Sequence, residues 1–134
     1  MQVSLTTNLV DFLANIPALN LTAGVNLFDG LVPQEVTNAV MVVPAGGTAP
    51  HEYLDTESII IDFWTVYNLT PAGYDMLKQI FELFHRKENY TLNNWYIYSS
   101  LVSGNIIDSD RTVEGAKLHK LSILFTCRPL ADIS

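Results

Sequence analysis

The residue types able to do chemistry are few in this chain and stand far apart. His51 falls in a glycine- and proline-flanked stretch, His85 at the end of a helical pattern and His119 in an alternating run, and no His-Glu-x-x-His spacing joins them into a metal set. Cys127 is the one cysteine, so it can neither close an internal disulfide nor hold a metal by itself. At the end of an apolar run such a thiol reads as a small buried hydrophobe, and its solitude fits a reducing, cytoplasmic origin. Neither a Gly-x-Gly-x-x-Gly pattern nor a phosphate-binding P-loop occurs. Gly46-Gly47 is followed by Thr48-Ala49-Pro50, with no lysine near enough to reach a phosphate. These residues predict no catalytic site, no metal, no cofactor and no enzymatic activity.

Two other features bear on contact chemistry. Asp62 interrupts the most apolar run of the chain, where a carboxylate is either an acid with a raised pKa or a group on the outer face of a sheet, near an interface or opposite a base of a neighbouring chain. No second acid or histidine is placed to share acid–base work, which favours the structural readings. Trp64, Trp95, Tyr96 and Tyr98 lack the interleaved bases of a single-strand stacking platform, so core or interface packing is the better account.

The elements that position these residues follow from periodicity. Leu5, Leu9, Phe12, Leu13 and Ile16 mark one face of a first helix, with Ser4 or Thr6 as N-cap and Pro17 as its stop. Short strands are expected near Val25 to Asp29 and from Ala39 to Val43, followed by a loop over residues 44 to 56 that carries two prolines and two glycines. Glu57 to Tyr67 is apolar on both alternate faces and predicts a central strand. A second helix follows, with Thr70 as N-cap, Pro71 at its first position and His85, Arg86 and Lys87 at its end. Tyr90 to Leu92 and Trp95 to Val102 form a hairpin about Asn93-Asn94, residues 103 to 115 are irregular, and Ala116 to Cys127 alternates as a last strand. The class is α+β: two helices packed on one face of a mixed, mostly antiparallel β-sheet, with a small hairpin and two long loops, as a single domain over residues 1 to 134.

At 134 residues one core is expected. Charged residues make up only 16%, against about 25% in average domains, so a partner is expected to cover part of the surface. The charge is also unevenly placed. The first 77 residues hold eight acids and no Lys or Arg, whereas the remainder holds seven bases and six acids, giving −7 in all. The first half therefore lacks the clustered bases that bind phosphates. Neither a secretory signal nor a membrane-spanning run is read in the sequence.

Leu27-Phe28-Asp29-Gly30 with a proline after it, Asn38-Ala39-Val40 entering a strand, and the Gly46-Gly47 segment together resemble the opening of the bacteriophage minor capsid and tail terminator proteins of long-tailed phages. The rest follows in order: a strand like Ser58 to Thr65, a helix like Ala72 to His85, a short hairpin, a strand like Trp95 to Leu101, an Asp-rich segment with Arg111, and a last strand ending near Arg128-Pro129. Many relatives carry Gly-Gly where this chain has Asn93-Asn94, and a base where it has Ile61-Asp62-Phe63. The resemblance implies a virion structural protein of the tail and neck region, assembled in the host cytoplasm. It would form a homo-oligomeric, hexameric ring that caps the tail tube protein, stops its polymerisation and joins the tail to the head-side connector protein, while DNA passes through without specific binding. In such a ring the segments 44 to 56 and 103 to 115 are the places to seek contacts, through Gly46, Gly47, His51, Tyr53, Asp55, Asp108, Asp110 and Arg111. Asp29, Glu35, Glu52 and Glu57 become candidates to line the channel, where like-charge repulsion keeps DNA from sticking. The alternatives are a neighbouring neck or head-completion protein, and a small enzyme or ligand-binding domain with a pocket between the second helix and the sheet.

Overall fold

The computed structural model describes residues 4–30, 38–48, 57–67, 70–92, 94–113 and 116–130. Helix α1, Leu5–Ala14, is capped by Ser4, whose hydroxyl accepts the Thr7 amide hydrogen (3.3 Å), and it buries Leu5, Leu9 and Leu13. Pro17 opens a short 3-10 turn, Pro17–Leu19, instead of prolonging the helix. The strands are β1 (Leu27–Asp29), β2 (Ala39–Thr48), β3 (Glu57–Tyr67), β4 (Lys87–Leu92), β5 (Trp95–Val102), β6 (Ile107–Val113) and β7 (Ala116–Pro129), and helix α2, Thr70–Phe84, lies between β3 and β4.

One seven-stranded sheet runs β1-β2-β3-β7-β5-β4, with β1 parallel to β2 and every other pair antiparallel. The two centre strands, β3 and β7, pair from Glu57↔Cys127 to Tyr67↔Lys117. The far edge of β7 is shared. β5 pairs with its second half, Ile123 to Pro129, and β6 with its first, Ala116 to Lys120.

Both helices lie on one face. α2 packs over β3, β7 and β5, while α1 touches β1 and β2 at one side of the sheet and β4 at the other, so the sheet curves around them. Phe84 is the hub. Its ring centroid lies 5.5 Å from Phe12 of α1, 5.9 Å from Phe63 of β3 and 5.6 Å from Phe125 of β7, and all of these rings but that of Phe12 are fully buried. Gly73 brings α2 close to the sheet. A Cβ there would meet Thr65 Oγ1 at 3.1 Å and His119 Nδ1 at 3.2 Å, and the Thr65 hydroxyl donates to the Gly73 carbonyl (3.3 Å).

The α+β class and the central placing of Glu57–Tyr67 agree with the sequence reading. Three local expectations are corrected. Residues 44 to 48 are not loop but the end of β2, which continues past a register shift at Pro44/Gly46 and pairs Gly47 with Ile59. Most of 103 to 115 is likewise a strand, β6, with its own irregularity between Ser109 and Thr112. Finally, α2 stops at Phe84. Arg86 takes a left-handed conformation (φ 62°) and gives its amide hydrogen to the Ser100 carbonyl (2.9 Å), so Lys87 begins β4 instead of ending the helix.

Candidate interaction surface

Strand alternation divides the sheet side chains between two environments. On the helix side lie Ile61, Phe63, Leu121, Ile123, Phe125 and Ile97, all essentially inaccessible. The opposite face carries no helix among the described residues. It holds a small cluster of Ala39, Met41, Val66 and Leu118, with Phe28, Val43 and Trp64 partly buried against them.

The pairing sets this open face out in cross-strand rows. Ile60, Leu124 and Leu101 form one row, Asp62 and Ser122 the next, Trp64, Lys120 and Ile107 a third, and Val66 with Leu118 a fourth. Leu101 and Ile107, on either side of the bend between β5 and β6 and two rows apart on the face, are 46% and 54% exposed. Asp62 accepts the Ser122 hydroxyl hydrogen across the strand pair (2.5 Å). Of the two sequence readings this is the structural one: the carboxylate is on the outer face of the sheet. Lys120 Nζ lies 5.4 Å from the Trp64 ring and the Arg128 guanidinium 5.6 Å from Tyr96, which makes an edge contact with Tyr98 at 4.9 Å. The four aromatics noted in the sequence therefore divide, with Trp95 buried in the helix-side core.

The remaining candidates are dispersed. Gly46 sits at the β2 register shift with φ 121°, a conformation that suits only glycine, and Gly47 is in the ladder beside it. Asp108 pairs in register with His119, and Asp110 and Arg111 fall in the β6 irregularity. Asp29, exposed on β1, accepts a hydrogen bond from the Thr7 hydroxyl of α1 (2.5 Å). Glu57 is half-buried at the start of β3, opposite Cys127. His51, Tyr53, Asp55, Glu35 and Glu52 lie outside the described residues. Asp29 and Glu57 are separated by the width of β2 and the length of β3, so the described acids do not form one cluster.

Four polar groups lie on the helix side: His85, Ser100, Tyr90 and Cys127. His85 Nδ1 accepts the Val102 amide hydrogen (3.2 Å) and its ring stacks on Phe81 at 4.6 Å. Ser100, fully buried on β5, donates to the Phe84 carbonyl (2.6 Å) and accepts the Tyr90 hydroxyl hydrogen (2.8 Å). Burial raises Tyr90 to about 12, against the lowering effect of its Ser100 hydrogen bond, and burial with the nearby Glu57 carboxylate raises Cys127 to about 12. Among the described residues no three of His, Cys, Asp and Glu converge as a metal set would. The cleft between α2 and the β5–β6 bend measures about 230 Å³ and is lined by Tyr74, Lys78, Phe81, Gly104, Asn105 and Ile106.

Sequence reasoning found Asp62 but missed Ser100 and the apolar rows. The rows are written as an alternation in β3 and β7, yet only the register shows that their outward residues fall side by side.

No family model matches the sequence, and no curated protein matches it. The structure is similar to a chain of the virion of a native gene transfer agent particle, with a TM-score of 0.58, 14% identity and 96% of each chain covered. That likeness shows a shared fold.

Proposed function

We propose that this chain is a virion structural protein that acts as a tail terminator: a ring, hexameric by its resemblance, that caps the tail tube, halts its growth and offers its other side to the head connector. One observation carries the virion part of the reading. A chain of a virion particle matches this fold over 96% of both lengths. The terminator part rests on the order of motifs from Leu27-Phe28-Asp29-Gly30 to Arg128-Pro129. The shape of the molecule supports both. An oligomer of heterologous contacts needs two different patches per subunit, and the chain has an acidic first half and a charge-balanced second half from which to make them. No catalytic role is proposed, since His51, His85 and His119 stand far apart in the sequence and share no metal-ligand spacing.

A neck or head-completion protein is the competing reading, because the virion match does not distinguish positions along the particle. Adding the purified protein to polymerising tail tube protein separates the two. A terminator gives tubes of limited length with a ring at one end in negative-stain images. Tubes that grow unchecked and carry no ring, with the protein bound instead to the connector, would assign it to the neck.

A further inference from the structure

We propose that the open sheet face pairs with its own counterpart on a second copy of this chain, in a two-fold contact centred on Asp62 and Lys120. The register places the two charges as diagonal neighbours, since Asp62 faces Ser122 and Trp64 faces Lys120 across the same strand pair. A two-fold axis lying in the plane of the contact, midway between them, sets the Asp62 carboxylate of one copy over the Lys120 ammonium of the other, and the reverse. The patch is thus complementary to itself, which an isologous interface requires. Two further charges of the face among the described residues lie farther off, Glu88 on β4 opposite Ser99 and Arg128 along β7 beside Tyr96.

Apolar rows flank the charged centre, Ile60, Leu124 and Leu101 on one side and Trp64 with Ile107 on the other, and the contact would cover the two most exposed apolar side chains of the face. Two sheets packing face to face are a common way to bury such rows. Four strands about 4.8 Å apart and seven residues of about 3.3 Å each give a footprint of roughly 450 Å². A standard stable interface buries about 800 Å² per partner, so the pair is a reversible, concentration-dependent one. It is independent of the ring reading, because a ring joins unlike patches and this contact joins like ones.

Sedimentation velocity of the full chain from micromolar to several hundred micromolar tests the idea. Wild type is expected to shift from monomer to dimer over this range, and Asp62→Lys or Lys120→Asp alone to weaken dimerisation at least tenfold. An equimolar mixture of those two variants should restore it, because only in the mixed pair do the reversed charges face opposite partners on both sides of the axis. Leu101→Asp should abolish the dimer, while Val25→Asp, at an exposed site off this face, should leave it intact; circular dichroism confirms that each variant is folded. A wild type that stays monomeric throughout, single reversals that associate like wild type, or a mixture that remains monomeric would each overturn the proposal.

Discussion

Ser100 and the half-buried Tyr90 form a polar link on the helix side of the sheet, with the Cys127 thiol buried near them and donating to the Phe125 carbonyl. Ser100 ties the last carbonyl of α2 to β5 and takes the Tyr90 hydroxyl, so Ser100→Ala leaves two buried groups short of a partner. The expected loss is about 1–3 kcal/mol in urea unfolding, more than an exposed Ser→Ala change such as Ser103→Ala, which should fall within about 0.5 kcal/mol. Burial raises Cys127, Tyr90 and Tyr67, so each makes the fold more sensitive to alkali. The first two are held near 12, above their ordinary values of 9.0 and 10.0, so above pH 9 the unfolded chain releases protons that the native one keeps. Stability is whole below pH 9 and drains away between pH 9 and 12, at about 1.4 kcal/mol per pH unit for each such group. Cys127→Ala should flatten the part of this decline that begins near pH 9, read as urea midpoints at pH 8, 9.5 and 10.5. In the native protein the thiol should resist alkylation at pH 8, and it should react once the chain is unfolded.

At the scale of elements, α2 depends on the absence of a side chain at position 73. Gly73→Val forces Thr65 or His119 to move, with an expected cost of about 2–3 kcal/mol and a lower melting temperature, although valine is otherwise better than glycine in a helix. The helices and the two centre strands were legible in the sequence because their apolar spacing matches their burial: Leu5, Leu9 and Leu13 in α1, Ile61 and Phe63 in β3, Leu121 and Ile123 in β7. The C-terminal end of β2 and the whole of β6 were not, and the cause is the same for both. Pro44 and Gly46-Gly47 are loop signals, but β1 covers only Val40 to Val42, so past that point β2 has no second partner among the described residues and a missing N–H breaks no ladder bond described there. Among the described residues β6 pairs with β7 alone, and its Asp108-Ser109-Asp110-Arg111 segment owes its strand conformation to that partner, not to alternation. A strand whose order comes from one ladder tolerates surface changes well. Asp108→Lys with Asp110→Lys should therefore keep the monomer folded by circular dichroism and, if β6 contacts the tail, should impair attachment to tail tubes in a pelleting assay. Attachment equal to wild type would remove β6 from the interface.

For the whole molecule, the charge division carries the most consequence. All seven bases lie at or beyond Lys78, on α2 and the strands that follow it, while the base-free part comprises α1 and β1 to β3. Six copies at −7 each would give a ring of −42. Such a ring can pass DNA without holding it if the acids of the first half face the channel, because the counterion release that drives DNA binding needs clustered cations and none is present there. Glu52→Lys with Glu57→Lys adds four charges per subunit, and would move the ring to −18 with cations placed where the channel is proposed. The wild-type ring should leave duplex DNA unretarded in a gel at 50 mM salt, whereas the doubly reversed ring should retard it, and raising the salt to 200 mM should weaken that binding by a factor of ten or more. If the reversed ring leaves DNA as free as wild type does, these acids do not face the channel. The acidic half would then be a surface for a basic partner, which direct binding of the unassembled subunit to tail tube and connector proteins at rising salt would identify.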